Sequence, residues 1–172
     1  MRVQPASIPP PTRLYTPEQR RRRDATPWTL VQGVLAPLQF VVCLASAALF
    51  ARWLMTGDGW IAAQVSFVVK CLLLFAIMVT GSIWEKVVFG RWLFARPFFW
   101  EDVVSMGVIA LHLACLAAML RGWPDATAQA WLVLAAYAAY VINATQFLLK
   151  LRAARRDEAA PRAASHPVEV AT

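Results

Sequence analysis

Three carboxylate residues and one histidine are the side chains of this sequence best suited to moving protons. Glu85 and Glu101 each follow a tryptophan, sixteen residues apart, and Asp102 comes directly after Glu101. His112 lies farther along, inside an uncharged run. A carboxyl group shielded from water by Trp and Phe rings disfavours its charged form and so keeps a proton near neutral pH. These four candidate catalytic residues predict acid–base chemistry on a hydrophobic substrate.

Long uncharged runs show which elements must position these residues. Of the 172 residues, 59% are hydrophobic and 16% are charged. Since a helix needs about 20 apolar residues to cross a bilayer, the runs predict an all-α polytopic membrane protein with a bundle of four transmembrane helices. The predicted spans are residues 28–53, 61–84, 103–120 and 130–149. Lys70 interrupts the second span, but the aliphatic residues around it outweigh its insertion cost of about 3 kcal/mol.

The segments on either side of this transmembrane domain (residues 28–152) differ from it in composition. Residues 1–27 are polar and basic; the Pro-rich start predicts disorder up to Thr16, and Thr16-Pro17 then predicts a helix start. Residues 153–172 are rich in Ala, Pro and charge, which predicts a flexible tail. The three cysteines all lie inside apolar runs, so we expect packing residues without a disulfide or a metal site.

The basic residues predict how the bundle is oriented in the membrane. They collect before the first span, between the second and third, and after the fourth, whereas the opposite helix ends offer only Arg52 and Arg121. By the positive-inside rule, both termini and the central loop lie in the cytoplasm. Attraction to anionic lipid headgroups accounts for the net charge of +7 without a nucleic-acid partner.

Polar side chains gather in the cytoplasmic half of this predicted bundle. With the helical rise, Gln39 and His112 lie about 16 Å from the cytoplasmic ends of their helices. On the last helix, Asn143 lies about 10 Å and Gln146 about 6 Å from that end. Since polar groups at such depth face a bundle interior or a cavity, they predict a pocket open to the cytoplasm. Simpler interpretations remain open, because glutamine can bond a neighbouring helix, histidine can pack, and Lys70 can extend to the far face.

The absence of several catalytic motifs limits the reaction classes that the sequence supports. The sequence has no Gly-rich phosphate loop, no HExxH and no Ser/His/Asp pattern, so nucleotide chemistry, zinc hydrolysis and serine acyl transfer have no support. A small transporter that uses Lys70 and His112 as a proton relay is a further hypothesis. It is the weakest one, because the sequence lacks the inverted repeat of many transporters.

Three segments of the chain are similar to a known family. They are TPEQRRRRDATPWTLVQGVLAPLQF, GSIWEKVVFGRWLFARPFFWEDVVSM and AAYVINATQFLLKLR, and the similarity runs from about Leu14 to Arg155. They resemble the vinyl bacteriochlorophyllide hydratases of bacteriochlorophyll biosynthesis in photosynthetic bacteria. The resemblance implies a hydro-lyase that adds water across the C3-vinyl group (2-vinyl in the older numbering) of a chlorophyllide-type macrocycle, giving a 1-hydroxyethyl group. It also implies the bacterial inner membrane, plasma or intracytoplasmic, as the location.

The resemblance carries over no catalytic residues, so we assign the candidate residues hypothetical roles from the chemistry of the predicted pocket. An acid, Glu85 or Glu101, protonates the terminal vinyl carbon, and the conjugated macrocycle delocalises the resulting cation. Water then attacks the carbon next to the ring, oriented and deprotonated by the other glutamate or by Asp102. His112 ligates the magnesium of the macrocycle or bonds a ring substituent. Water is the co-substrate, the magnesium arrives with the substrate, and no redox or nucleotide cofactor is expected.

Basic and aromatic residues would hold the macrocycle. A guanidinium group suits the propionate of a chlorophyllide because it binds a carboxylate through two parallel hydrogen bonds, and aromatic rings stack on a flat ligand. The predicted substrate-binding residues are Lys86, Arg91, Trp92, Arg96, Trp100, Gln39, Asn143 and Gln146. The expected partners are the macrocycle and membrane lipid, with a homo-oligomer or a complex with other pigment-biosynthesis enzymes as further options. The alternative function is a non-enzymatic membrane protein that only binds or assembles pigment.

Overall fold

The computed structural model describes residues 14–159, which form five α-helices and one 3₁₀ turn and contain no β-strand. The 3₁₀ turn, Arg96–Phe98, directly precedes the fourth helix. The helices are α1 (Pro17–Ala25), α2 (Pro27–Thr56), α3 (Trp60–Phe89), α4 (Phe99–Arg121) and α5 (Ala126–Ala159). Residues 1–13 and 160–172 lie outside the described residues, and with them most of the two predicted tails.

Local hydrogen bonds explain where the helices begin. The Thr16 hydroxyl accepts from the Gln19 N–H at 3.2 Å, while the Gln19 side chain accepts from the Thr16 N–H at 2.9 Å, which together form a capping box. Pro17 occupies the first turn of α1, which confirms the predicted helix start. Before α5, the Asp125 carboxylate accepts from the Thr127 N–H at 2.9 Å.

Helix α1 is a basic surface helix that packs against α3. None of its residues is buried. Hydrogen bonds from Arg21 and Arg22 hold the pKa of the Glu18 carboxyl below its usual range. Because these groups are solvated, their ion pairs add little to stability.

The four long helices form two antiparallel hairpins, α2 with α3 and α4 with α5, which pack side by side. Where α3 ends and α2 begins, Trp84 Nε1 donates to Thr29 Oγ1 at 2.9 Å. At the same end of the bundle, the Phe98 ring before α4 stacks on Phe147 of α5, with centroids 5.9 Å apart. The start of α2 and the last turns of α5 therefore share one end, which we call the basic end because most lysines and arginines lie there.

All four long helices are apolar enough to cross a membrane, with mean hydropathies of 2.2, 2.2, 2.3 and 1.6 over their most apolar windows. Each contains one predicted span. With 30 residues, α2 and α3 are about 45 Å long and exceed a hydrocarbon core of about 30 Å. Helix α5 also continues past residue 152, into the segment predicted as a tail. Ala154 helps to explain this extension, because it is buried with Tyr15, Val88 and Phe98 at the basic end.

The bundle interior mixes apolar and polar side chains. Its apolar cluster includes Phe67 and Tyr137, and the three cysteines lie buried and free beside them. The Tyr137 hydroxyl is 2.7 Å from Ser46 Oγ, which ties α5 to α2. The polar residues with no exposed surface are Gln39, Ser46, Lys70 and His112. Since polar groups facing lipid are costly, their burial identifies the inward face of each helix.

Candidate active site

Two carboxyl groups lie buried at the basic end, where α3 ends and α4 begins. Glu85 belongs to the last turns of α3 and Asp102 to the first turn of α4, and only 5% and 3% of their surfaces are exposed. The amides that bind them belong to successive residues, Phe94 and Ala95, so the two carboxyl groups lie close to each other. Two ionised carboxylates this close repel each other, which favours a state in which one of them holds a proton. The pair therefore combines a proton donor and a proton acceptor in one place.

Backbone amides of the loop between α3 and α4 hold this pair in position. The Phe94 N–H donates to Asp102 Oδ2 at 2.8 Å, and the Ala95 N–H donates to Glu85 Oε2 at 3.1 Å. Each carboxyl group thus has its own amide donor from neighbouring loop residues. Because amides do not titrate, the anchoring persists whichever carboxyl group carries the proton.

Glu101 is held in a separate contact. Its carboxylate accepts from Lys150 Nζ at 2.5 Å, in an ion pair whose side chains are 12% and 26% exposed. The same Nζ lies 5.3 Å from the centroid of the Phe98 ring. The ion pair links the start of α4 to α5. Of the two glutamates predicted as the acid, the structure brings Glu85, rather than Glu101, together with Asp102.

An open groove of about 280 Å³ lies beside the pair. Its lining includes Gln19 of α1 and, from the segment between α3 and α4, Arg91, Ala95 and Arg96. Ala95 connects the groove to the pair, because its N–H binds the Glu85 carboxyl. Both arginines are exposed, so the groove suits an anionic group on a ligand.

Exposed aromatic rings surround this end of the bundle. Trp92 and Trp100 are 59% and 71% exposed. Lys86 Nζ lies 5.8 Å from the Trp92 ring centroid and donates to the Gly90 carbonyl at 3.1 Å. Trp rings at such a helix end lie where a bilayer has its headgroup layer. They also present flat faces to a flat ligand.

A second polar cluster lies near the middle of the bundle. Lys70 donates a hydrogen bond to Gln39 Oε1, and its Nζ is 3.4 Å from the centroid of the Tyr140 ring. Extension of Lys70 to the far membrane face, one of the predicted alternatives, is therefore wrong, because an amide and a ring accommodate its ammonium inside. His112 Nδ1 donates to the Val108 carbonyl at 2.8 Å, which leaves a lone pair on Nε2. No described residue bonds to His112 Nε2 or to Gln39 Nε2.

Asn143 and Gln146, both predicted to bind substrate, have different surroundings. Asn143 is buried, and its Nδ2 donates to Ser105 Oγ at 2.8 Å. The Ser105 hydroxyl in turn donates to the Glu101 carbonyl at 2.8 Å. Gln146 is exposed on the outer surface of α5. The structure therefore brings Asn143, and not Gln146, together with the other interior polar groups.

The predicted site residues thus divide into two groups at different depths. Glu85 and Asp102 lie at the basic end, with Arg91 and Arg96 in the adjoining groove. His112 follows Asp102 by ten residues on α4, which places it about 15 Å deeper. Groups this far apart cannot act on one reacting bond, but they can contact separate parts of one large ligand.

Three contributors to the site cannot be identified from sequence patterns. The amides of Phe94 and Ala95 bind the pair through the backbone, so their side chains give no signal. Lys150 lies 49 residues from Glu101, and its only signal is a position at the same end of the bundle. Such contacts depend on how the two hairpins dock, which local patterns do not encode.

Comparison with known proteins connects this site to a family. The family model for 2-vinyl bacteriochlorophyllide hydratase matches residues 15–153. The 2-vinyl bacteriochlorophyllide hydratase of Rhodobacter capsulatus is 59% identical over 159 residues, covering 92% of each chain. The protein of the same name from Cereibacter sphaeroides is 61% identical over 156 residues, covering 90% of this chain and 97% of the relative. No solved structure matches. The chain therefore belongs to the 2-vinyl bacteriochlorophyllide hydratase family.

Proposed function

We propose that the chain adds water to the vinyl group of a bacteriochlorophyllide or chlorophyllide macrocycle, as a hydro-lyase of bacteriochlorophyll biosynthesis. Two relatives named for this hydration, each about 60% identical over nine-tenths of the chain, support the reaction. The structural observation that carries the proposal is the burial of the Glu85 and Asp102 carboxyl groups side by side on the amides of two successive loop residues. It supplies the acid and the base that hydration of an alkene needs.

The carboxyl pair can complete this reaction and return to its starting state. One group holds the shared proton and gives it to the terminal vinyl carbon, and the C=C π bond breaks. A cation forms at the carbon next to the ring, where conjugation delocalises it and the two adjacent carboxylates stabilise it electrostatically. Water attacks this carbon, and a carboxylate takes the proton that the attacking water releases. The product is the 1-hydroxyethyl group.

The atoms and electrons of this reaction balance with water alone. The vinyl group gains one hydrogen and one hydroxyl group, and no electron passes to or from a carrier. The proposal therefore includes no redox or nucleotide cofactor. The magnesium belongs to the substrate.

We also propose residues on both sides of the pair as contacts of the macrocycle. We assign the propionate to Arg91 and Arg96, which both line the groove. His112 suits the substrate magnesium, because its Nδ1–H is fixed by a carbonyl and its Nε2 keeps a lone pair. The remaining proposed contacts are Lys86, Trp92 and Trp100 at the basic end and Gln39 and Asn143 inside the bundle.

We assign the basic end to the cytoplasmic face of a bacterial inner membrane. Lysines and arginines collect at that end, whereas the opposite end has Arg52 and Arg121. Positive charge of this kind is retained on the cytoplasmic side. The groove and the carboxyl pair would then receive a polar pigment precursor and water from the cytoplasm.

Mass spectrometry of the pigment tests the proposed reaction. Membranes that contain the chain are incubated with chlorophyllide a in ¹⁸O-labelled water, and membranes of the same host without the chain serve as the control. We expect a product heavier by one labelled water and bearing a 1-hydroxyethyl group. A pigment carrier would return its ligand unchanged, and that result would overturn the proposal.

A further inference from the structure

Phe94 has a backbone conformation that its side chain does not favour. Its φ is +57°, in the left-handed region that residues other than Gly, Asn and Asp rarely adopt. Among residues 14–159, it is the only non-glycine residue with a positive φ. Such conformations persist where the surrounding structure holds them, and they cluster at functional sites.

This left-handed turn aims two successive amides at the carboxyl pair. The Phe94 N–H binds Asp102 at 2.8 Å, and the next amide, that of Ala95, binds Glu85 at 3.1 Å. In extended backbone successive N–H groups point to opposite sides, whereas a left-handed residue in a turn can bring them together to form an anion-binding concavity. With Phe94 in an extended conformation, we expect only one of the two carboxyl groups to keep its amide.

The Phe94 ring makes a different kind of contact. It packs on Phe99, with centroids 5.8 Å apart and planes 54° apart. Phe99 itself is 42% exposed. The ring therefore lies against a partly exposed residue at the start of α4, while the backbone amides face the buried pair. The two contributions can be separated by substitution.

We propose that Phe94 is a positioning residue for hydration, because its left-handed backbone holds Glu85 and Asp102 together as one proton-sharing unit. This inference rests on the proposed function of that pair. The contribution of Phe94 to turnover then comes from its φ angle and not from its ring. The residue does not touch the substrate; it acts through the two amides.

A matched pair of substitutions separates the backbone from the ring. Phe94→Asn and Phe94→Val both remove the ring, but asparagine tolerates the left-handed region and a β-branched valine does not. We expect kcat for hydration to be about 10²-fold lower in Phe94→Val than in Phe94→Asn, since small misplacement of catalytic groups has effects of that size. KM is expected to agree between the two variants, because both lack the Phe94 ring and both keep the arginines of the groove and the exposed Trp rings.

Either of two results would overturn the proposal. One is a kcat in Phe94→Asn as low as or lower than that in Phe94→Val, which would assign the effect to the ring. The other is a KM that is higher in Phe94→Val than in Phe94→Asn while kcat is the same in both. That result would show that the Phe94 backbone acts in substrate binding. If Phe94→Val does not accumulate in membranes, Phe94→Gly and Phe94→Ala provide the same comparison, since glycine adopts positive φ freely and alanine does not; equal kcat values would then overturn it.

A third variant, Glu85→Gln, distinguishes a failure of this inference from a failure of the proposed function. If Glu85→Gln turns over at the wild-type rate, the catalytic assignment of the pair fails and the role of Phe94 fails with it. If Glu85→Gln is inactive while Phe94→Val matches Phe94→Asn, only the positioning role fails.

Discussion

Breaking the ion pair between Glu101 and Lys150 is expected to destabilise the protein and to spare most of its turnover. The pair joins α4 to α5 at 2.5 Å. Glu101 is bound to this lysine, whereas Glu85 and Asp102 share their own contact and their own amides. The informative variants are Glu101→Gln, Lys150→Met and the two combined.

The exposure of the two side chains sets the expected size of the effect. An exposed ion pair contributes about 0–1 kcal/mol, and breaking a fully buried one costs about 3–5 kcal/mol. At 12% and 26% exposure, we expect Lys150→Met to lower the free energy of unfolding by about 2 kcal/mol. Glu101→Gln keeps an amide oxygen for the lysine and is expected to cost about 1 kcal/mol. For a chain of 172 residues, the Lys150→Met value corresponds to a Tm lower by about 4–8 °C.

Thermal unfolding in detergent of the wild type, both single variants and the double variant gives the coupling energy. We expect about 1 kcal/mol of coupling and, in the mass-spectrometric assay, a Glu101→Gln turnover within about tenfold of wild type. Stability effects that add to within about 0.3 kcal/mol would show that the ion pair does not form. A turnover loss in Glu101→Gln as large as that in Glu85→Gln would refute the placement of Glu101 outside the catalytic pair.

Three further predictions concern the interior and substrate binding. Gln39→Leu alone should lower the free energy of unfolding by about 2 kcal/mol, because a buried ammonium loses its acceptor; adding Lys70→Met should restore most of that loss in the thermal assay. Arg91→Gln combined with Arg96→Gln should raise KM about tenfold for the free acid but not for its methyl ester, because only the acid carries a charge for the guanidinium groups. His112→Ala should abolish the difference in affinity between magnesium-containing and metal-free macrocycles in a fluorescence titration.

For each of these three predictions, one result would contradict the reasoning. A Gln39→Leu/Lys70→Met protein less stable than Gln39→Leu would show that Lys70 stabilises the bundle by other contacts. Equal rises in KM for the acid and the ester would show that the propionate does not bind in the groove. An unchanged preference for the magnesium macrocycle in His112→Ala would exclude that residue as the magnesium ligand.

Hydropathy predicts how many helices cross the membrane but not where they end. Three charge-free runs and a fourth interrupted only by Lys70 are long enough to identify four spans, and the four apolar helices confirm that number. Hydropathy marks the hydrocarbon layer, however, and a helix continues outside that layer until a capping residue ends it. Helix α3 therefore passes Trp84 and stops only at Phe89, before Gly90 with a φ of +80°.

Sequence position also predicts that the carboxylates share one end of the bundle, but not which of them pair. Glu101 and Asp102 are adjacent, and successive residues differ by about 100° around a helix. The rotation of α4 therefore decides which one meets Glu85. Ser105 and His112 mark the buried side of α4, but apolar residues lie on every side of the helix, so the pattern does not fix the rotation closely enough to separate two adjacent carboxylates. The same reasoning explains why Gln146 faces outward while Asn143 is buried.

The most direct measurement of the central claim is the single-turnover rate of vinyl hydration in Glu85→Gln and in Asp102→Asn, with pigment affinity measured on the same samples. We expect each substitution to lower the rate by about 10²- to 10⁴-fold, while affinity for the macrocycle stays within a few-fold of wild type. Wild-type rates in both variants would contradict the central claim, because the shared proton of that pair would then have no part in the reaction.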